Sequence, residues 1–148
     1  MVYVVTNTQV SAWVAKCKEV MGDDPSVGKG WWFDTIDYEH LNTVAKSWLD
    51  SNFTFILLYS ESAIAACWLA PHFLTPKIIM AEEIICRSNG YGGVKIRERM
   101  KEIARDKGAT HLMIDNAYAA DLRDLEERDE KTIKSGFDSF STRYVQSL

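Results

Sequence analysis

Three apolar runs of strand length stand close together in the middle of the chain, at residues 53–59, 63–69 and 77–86. The first, Phe-Thr-Phe-Ile-Leu-Leu-Tyr, is rich in β-forming residues and too short for a helix. Ser60-Glu61-Ser62 makes a turn into the second run, and Pro71 and Pro76 bracket a loop before the third. Breaks this short predict an antiparallel meander, because a parallel return needs a crossover of about a dozen residues or more. On either side the period becomes helical. Val10, Trp13, Val14, Cys17, Val20 and Met21 mark a helix capped by Asn7 or Thr8, which stops at Gly22-Asp23-Asp24-Pro25. Asp37 caps a second helix with Leu41, Val44, Ala45, Trp48 and Leu49 on its apolar face. After the meander, Ile96, Met100, Ile103 and Ala104 line a third helix closed by Gly108. Residues 110–114 read as a short strand, and a strand, helix and strand in this order close as a parallel crossover, so the sheet is mixed. Residues 119–134 form a charged surface helix anchored by Leu122, Leu125 and Ile133. Gly136-Phe137 ends it, and residues 140–145 return as a last strand. With residues 2–5 as the first strand, the order is β-α-α-β-β-β-α-β-α-β, a single α/β domain of three layers over residues 1–148.

Composition narrows the function by exclusion. The chain carries 17 Lys+Arg against 21 Asp+Glu, a net charge of −4 without long runs of one sign. That gives none of the basic footprint needed for nucleic acid or for an anionic membrane surface. No apolar run approaches the roughly eighteen residues that span a bilayer, and the start lacks a charged region followed by a long apolar stretch. A cytoplasmic protein is the expectation. The 3 cysteines, Cys17, Cys67 and Cys86, are too widely spaced for a disulfide framework or a paired-cysteine zinc site. His40 and His111 sit in a helix and a strand without partners at metal-ligand spacing, and His72 stands alone in a loop, so no metal is expected.

One segment points to chemistry. Arg87-Ser88-Asn89-Gly90-Tyr91-Gly92-Gly93 lies between the third run of the meander and the third helix. Glycines let a phosphate approach the backbone, and the N–H groups of the first helical turn, at the positive end of the helix dipole, bind an anion. A match to Q/R-x-x-G-x-G arises in roughly 3% of shuffled chains of this composition, before the flanking strand and helix are required. Glycines also make tight turns with no ligand, but the position before a helix favours the cradle. The dinucleotide fingerprint G-x-G-x-x-G fails at Lys95, and the phosphate-loop pattern fails where Gly30 replaces the Ser or Thr that must bind magnesium. No Gly-x-Ser-x-Gly elbow of a serine hydrolase is present.

The element order, the loop Arg87-Ser88-Asn89-Gly90-Tyr91-Gly92 and the pair Gly136-Phe137 before a strand ending near Tyr144 resemble the GNAT (GCN5-related) N-acetyltransferases over most of the chain. The resemblance implies an acetyl-CoA site in which residues 87–93 hold the pyrophosphate largely through backbone N–H groups. It implies that the backbone of Ile84-Ile85-Cys86 pairs with the pantetheine arm where strands four and five splay apart, and that Asn116 adds a polar contact. Two departures stand out. Cys86 runs directly into Arg87, where family members usually carry several more residues, and Thr132 stands where the family often places an acid tyrosine.

Acetyl transfer to an amine needs a neutral nitrogen, and so a base. Glu82 and Glu83 are adjacent on the fourth strand and face opposite ways, so only one can enter the substrate cleft. The spacing Ala81-Glu82…Cys86 resembles the histone-modifying members and favours Glu82, with Glu83 the alternative. A phenol suits protonation of a leaving thiolate. Tyr118, just past the fifth strand, is the first candidate and Tyr144 the second. Trp31-Trp32-Phe33 marks the loop between the first two helices as a buried lid, a substrate wall, a subunit contact or part of the core. Cys86 reads as strand packing. The implied acceptor is a small-molecule amine or a protein amino group, and a second copy of the chain, as a homodimer, is a further candidate partner. The rival function is a GNAT-like binding or structural module without turnover.

Overall fold

The computed structural model describes residues 1–22, 36–114 and 122–137. Contacts divide the chain into two units, residues 1–24 with 36–114 and residues 25–35 with 115–148, and each is described by itself.

The first unit contains β1 (Tyr3–Val4), a 3-10 turn (Asn7–Gln9), α1 (Val10–Gly22), α2 (Tyr38–Asp50), β2 (Thr54–Tyr59), β3 (Ala63–Pro71), β4 (Ile79–Ser88), α3 (Gly93–Asp106) and β5 (His111–Met113). Its five-stranded sheet has the order β1-β2-β3-β4-β5. The first four strands pair antiparallel and β5 pairs parallel to β4, so the meander and the mixed sheet are both present. Asp37 caps α2, its Oδ1 accepting from His40 N at 3.0 Å. The start of α1 differs from expectation. Asn7 lies inside a 3-10 turn whose cap is Thr6, with Thr6 N donating to Gln9 Oε1 at 3.2 Å. Neither Asn7 nor Thr8 caps the helix, because the extra turn moves the cap back along the chain.

The sheet separates two cores. Odd-numbered β3 residues Ala63, Ala65, Cys67 and Leu69 pack with Ile56 and Leu58 of β2 under Ile96, Met100 and Ala104 of α3. Ile96 and Met100 are fully buried, each worth about 2 kcal/mol of apolar burial. The opposite face, bearing Leu57, Ile64 and Ala66, is covered by α1 and α2. All six apolar positions read as the stripe of α1 are buried. Trp13 is among them, and its indole N–H is satisfied by the Leu58 carbonyl at 3.0 Å. This is the three-layer α/β arrangement expected from the sequence.

Two boundaries of β4 need correction. The strand begins at Ile79 rather than Lys77, and it runs through Arg87 and Ser88, which the sequence reading puts in the loop. Both keep ladder partners, Ile64↔Arg87 and Ala63↔Ser88, so irregular backbone starts only at Asn89. The second unit contains α4 (Leu122–Lys134), followed by Gly136 with φ +91°; residues 119–121 of the helix expected over 119–134 lie outside the described residues. The expected last strand at 140–145 lies outside the described residues.

Candidate active site

The glycine segment forms a built turn. Gly90 and Gly92 have φ of +84° and +88°, a region that only glycine adopts without strain, and Gly92 is the N-cap of α3. The turn between β2 and β3 fixes the loop from beside it. Asn89 N donates to Ser62 O at 2.7 Å, and Ser62 Oγ donates to Tyr91 O at 2.8 Å. A Cβ on Gly92 would meet Ser62 Oγ at 2.9 Å, and one on Gly93 would meet Ser88 Oγ at 3.2 Å. The first amide bonded within α3 is Ile96 N, to Gly92 O at 3.0 Å, so the amides of residues 93–95 have no helical acceptor. An open hollow of about 590 Å³, lined by Ser88 and residues 90–95, lies at this helix end. The first-turn amides, and Lys95 as a lining residue that carries a positive charge, fit an anion.

Next to the cradle, β4 presents an edge with no partner strand among the described residues. Among the described residues, β5 pairs with β4 only at Met80↔His111, Ala81↔Leu112 and Glu82↔Met113. No described residue pairs with that side of β4 beyond Glu82. Ile84, Ile85 and Cys86 lie on this edge, which runs from Glu82 to Ser88 over roughly 20 Å of extended backbone.

Glu82 and Glu83 occupy opposite faces, and a β-bulge decides which is which. Ile85 pairs with Ala66 and Glu83 with Cys67, leaving Ile84 as the extra residue. Without that insertion, Glu83 rather than Glu82 would share a face with Ile85. As built, Glu83 points beneath α3, where Arg97 grips it with Nε and Nη2 each at 2.9 Å. Only 5% of the Glu83 side chain is exposed. Glu82 lies on the α1/α2 face at the last described β4–β5 rung, and its Oε2 accepts from Trp68 Nε1 at 3.1 Å.

The remaining predicted residues divide by position. Arg87 is buried within β4 and Asn89 uses its backbone on Ser62, so neither side chain lines the hollow. Burial, and then the Glu83 carboxylate, push the Cys86 thiol up to about 12, so it stays protonated at neutral pH and is no nucleophile. Thr132 Oγ1 donates to the Arg128 carbonyl at 2.8 Å within α4. Asn116, Tyr118, Tyr144 and the Trp31-Trp32-Phe33 cluster lie outside the described residues. Among the described residues no group of His, Cys, Asp or Glu could hold a metal, and no helix is long and apolar enough to cross a membrane. Sequence reasoning missed Ser62, Trp68 and Arg97. The partner that gives each its role is far away in sequence, so no local pattern marks them.

No family model and no curated protein matches the chain. Solved structures do. A Trypanosoma brucei acetyltransferase is 14% identical with a TM-score of 0.63, covering 100% of this chain and 99% of that one. A ribosomal-protein-alanine N-acetyltransferase from Brucella melitensis is 8% identical with a TM-score of 0.63, covering 100% and 99%. The aminoglycoside N-acetyltransferase AAC(6')-Iy, in complex with CoA, is 7% identical with a TM-score of 0.62, covering 100% and 93%.

Proposed function

The chain has the fold of the GNAT acetyltransferases, and from that premise we propose that it is an acetyl-CoA-dependent N-acetyltransferase acting on a primary amine in a ternary complex. One observation carries the reading. A glycine cradle at the start of α3 and a carboxylate at Glu82 stand at the two ends of one β4 edge that has no partner strand among the described residues. Acetyl-CoA, when bound, supplies an acetyl group activated as a thioester, transferred as a C–N bond forms and the C–S bond breaks. The amides of residues 93–95 and Lys95 would hold the pyrophosphate, and the backbone of Ile84, Ile85 and Cys86 would pair with the pantetheine arm. Asn116 keeps the polar contact with that arm that the resemblance implies. Glu82 accepts the proton of the acceptor ammonium, freeing the nitrogen lone pair. Tyr118 keeps the role of acid and returns a proton to the leaving sulfur. Glu83 is assigned to structure, since both of its oxygens are taken by the Arg97 guanidinium beneath α3.

Calorimetric titration with acetyl-CoA, followed by thiol release across an amine panel, tests the proposal. Saturable binding with amine-dependent thiol release supports it. Absence of binding removes it. A second reading, a CoA-binding module without turnover, draws on Thr132, whose hydroxyl is engaged with its own helix where the family often has an acid tyrosine. Binding without thiol release would favour that module.

A further inference from the structure

A single rung crosses the sheet on the α1/α2 face: Phe55 pairs with Trp68, Trp68 with Glu82, and Glu82 with Met113. Directly paired residues point to the same side, so a carboxylate is set in a row of two aromatic rings and a thioether. The rings are organised as well as adjacent. Trp48 of α2 stacks on Phe55 with centroids 5.3 Å apart and planes 2° apart, and Phe55 continues to Trp68 at 6.1 Å and 21°. Phe53 meets Trp68 edge-on at 6.2 Å. All four rung residues are half-buried rather than sealed. The indole N–H of Trp68 ends on Glu82, so one side chain both extends the aromatic row and orients the carboxylate.

This chemistry selects a substrate class. A carboxylate attracts a cationic amine, and a flat apolar row beside it rewards an acceptor whose body is an aromatic ring, through area burial and ring stacking. A polyhydroxylated acceptor would leave its hydroxyls facing ring faces without hydrogen-bond partners. Resting on the acetyltransferase reading, we infer that the acceptor is an arylalkylamine, with its ring on Phe55 and Trp68 and its amine at Glu82. Phe55 is then a specificity residue. Trp68 also acts as a positioning residue for Glu82.

The test is a competition among acceptors on the unaltered chain, with thiol release as the readout. Phenethylamine and tryptamine should exceed n-butylamine and kanamycin in kcat/KM by at least about tenfold. Two variants then separate the roles. Phe55→Leu should raise KM for phenethylamine several-fold with kcat kept, whereas Trp68→Phe, which retains a ring but loses the N–H donor, should lower kcat about tenfold with little change in KM. Equal or better turnover of n-butylamine or kanamycin overturns the inference while leaving the acetyltransferase reading intact. Binding of acetyl-CoA with no turnover of any amine removes both. The acceptor ratio comes from the parent protein, so a variant that fails to fold does not protect the idea.

Discussion

The two faces of β4 use the same residue type for opposite ends. Under α3, Glu83 is nearly sealed and held by two hydrogen bonds from Arg97, among the small apolar residues of β3. On the α1/α2 face, Glu82 keeps partial exposure, a hydrogen bond from the Trp68 indole beside aromatic rings, and a place at the last described rung of the β4–β5 pairing. Burial with a two-bond guanidinium partner turns a carboxylate into a strut, while partial burial beside aromatic rings leaves it within reach of an acceptor. The bulge at Ile84 assigns the two roles, because one extra residue reverses the alternation relative to the cradle end of the strand.

The sharpest way to break this comparison is to neutralise each carboxylate separately. Glu82→Gln keeps an oxygen for Trp68 but removes the base, so kcat for acetyl transfer should fall about 10²–10⁴-fold, with the urea midpoint almost unchanged. Glu83→Gln should do the reverse. It strands the Arg97 guanidinium without its counter-charge and should cost about 3 kcal/mol, lowering Tm by roughly 6–12 °C, with turnover per folded molecule close to the parent. Loss of activity in both variants, or in Glu83→Gln alone, would reverse the assignment.

The fold was legible where local pattern decides it. The stripe of α1, the Asp37 cap and the close-set runs of the meander each follow from periodicity or turn chemistry within a short window. The pairing of Glu82 with Trp68 and of Glu83 with Arg97 was not legible, because it depends on cross-strand register and on a bulge that leaves no local mark. Opposite facing of the two glutamates was predictable from alternation alone; which one lay under α3 was not. The extension of β4 through Arg87 and Ser88 was missed for a related reason. The following glycines suggest a loop, yet the partners Ile64 and Ala63 on β3 carry the ladder two residues further.

The cradle gives a smaller effect that distinguishes the two ends of the β4 edge. Gly92→Ala forces a side chain into a left-handed conformation at φ +88° and sets its Cβ 2.9 Å from Ser62 Oγ. The cost should be about 1–2 kcal/mol of stability, with Kd for acetyl-CoA rising about tenfold as the first-turn amides shift. Adding Ser62→Ala relieves the close approach but leaves the backbone strain and removes the bond to Tyr91 O. The double variant should therefore stay weaker in binding than the parent. Unchanged affinity in Gly92→Ala would mean that the anion is held elsewhere.

The smallest effect concerns pH and belongs to the closed face, where Cys67 and Cys86 flank Glu83 on the α3 side. Burial first, and then the Glu83 charge, raise both thiols from 9.0 to about 12. Below pH 9.0 the thiols are protonated in the folded and unfolded chains alike, so their contribution to stability is fully present. Between 9.0 and about 12 the unfolded chain releases protons that the folded chain retains, and stability falls as pH rises. Urea midpoints measured from about pH 8 to 11 should decline for the parent and decline less steeply for Cys86→Ala, with Lys and Tyr titration common to both. A slope unchanged by that substitution would show that the face under α3 admits solvent at Cys86, and with it the contrast between the two faces of β4 would weaken.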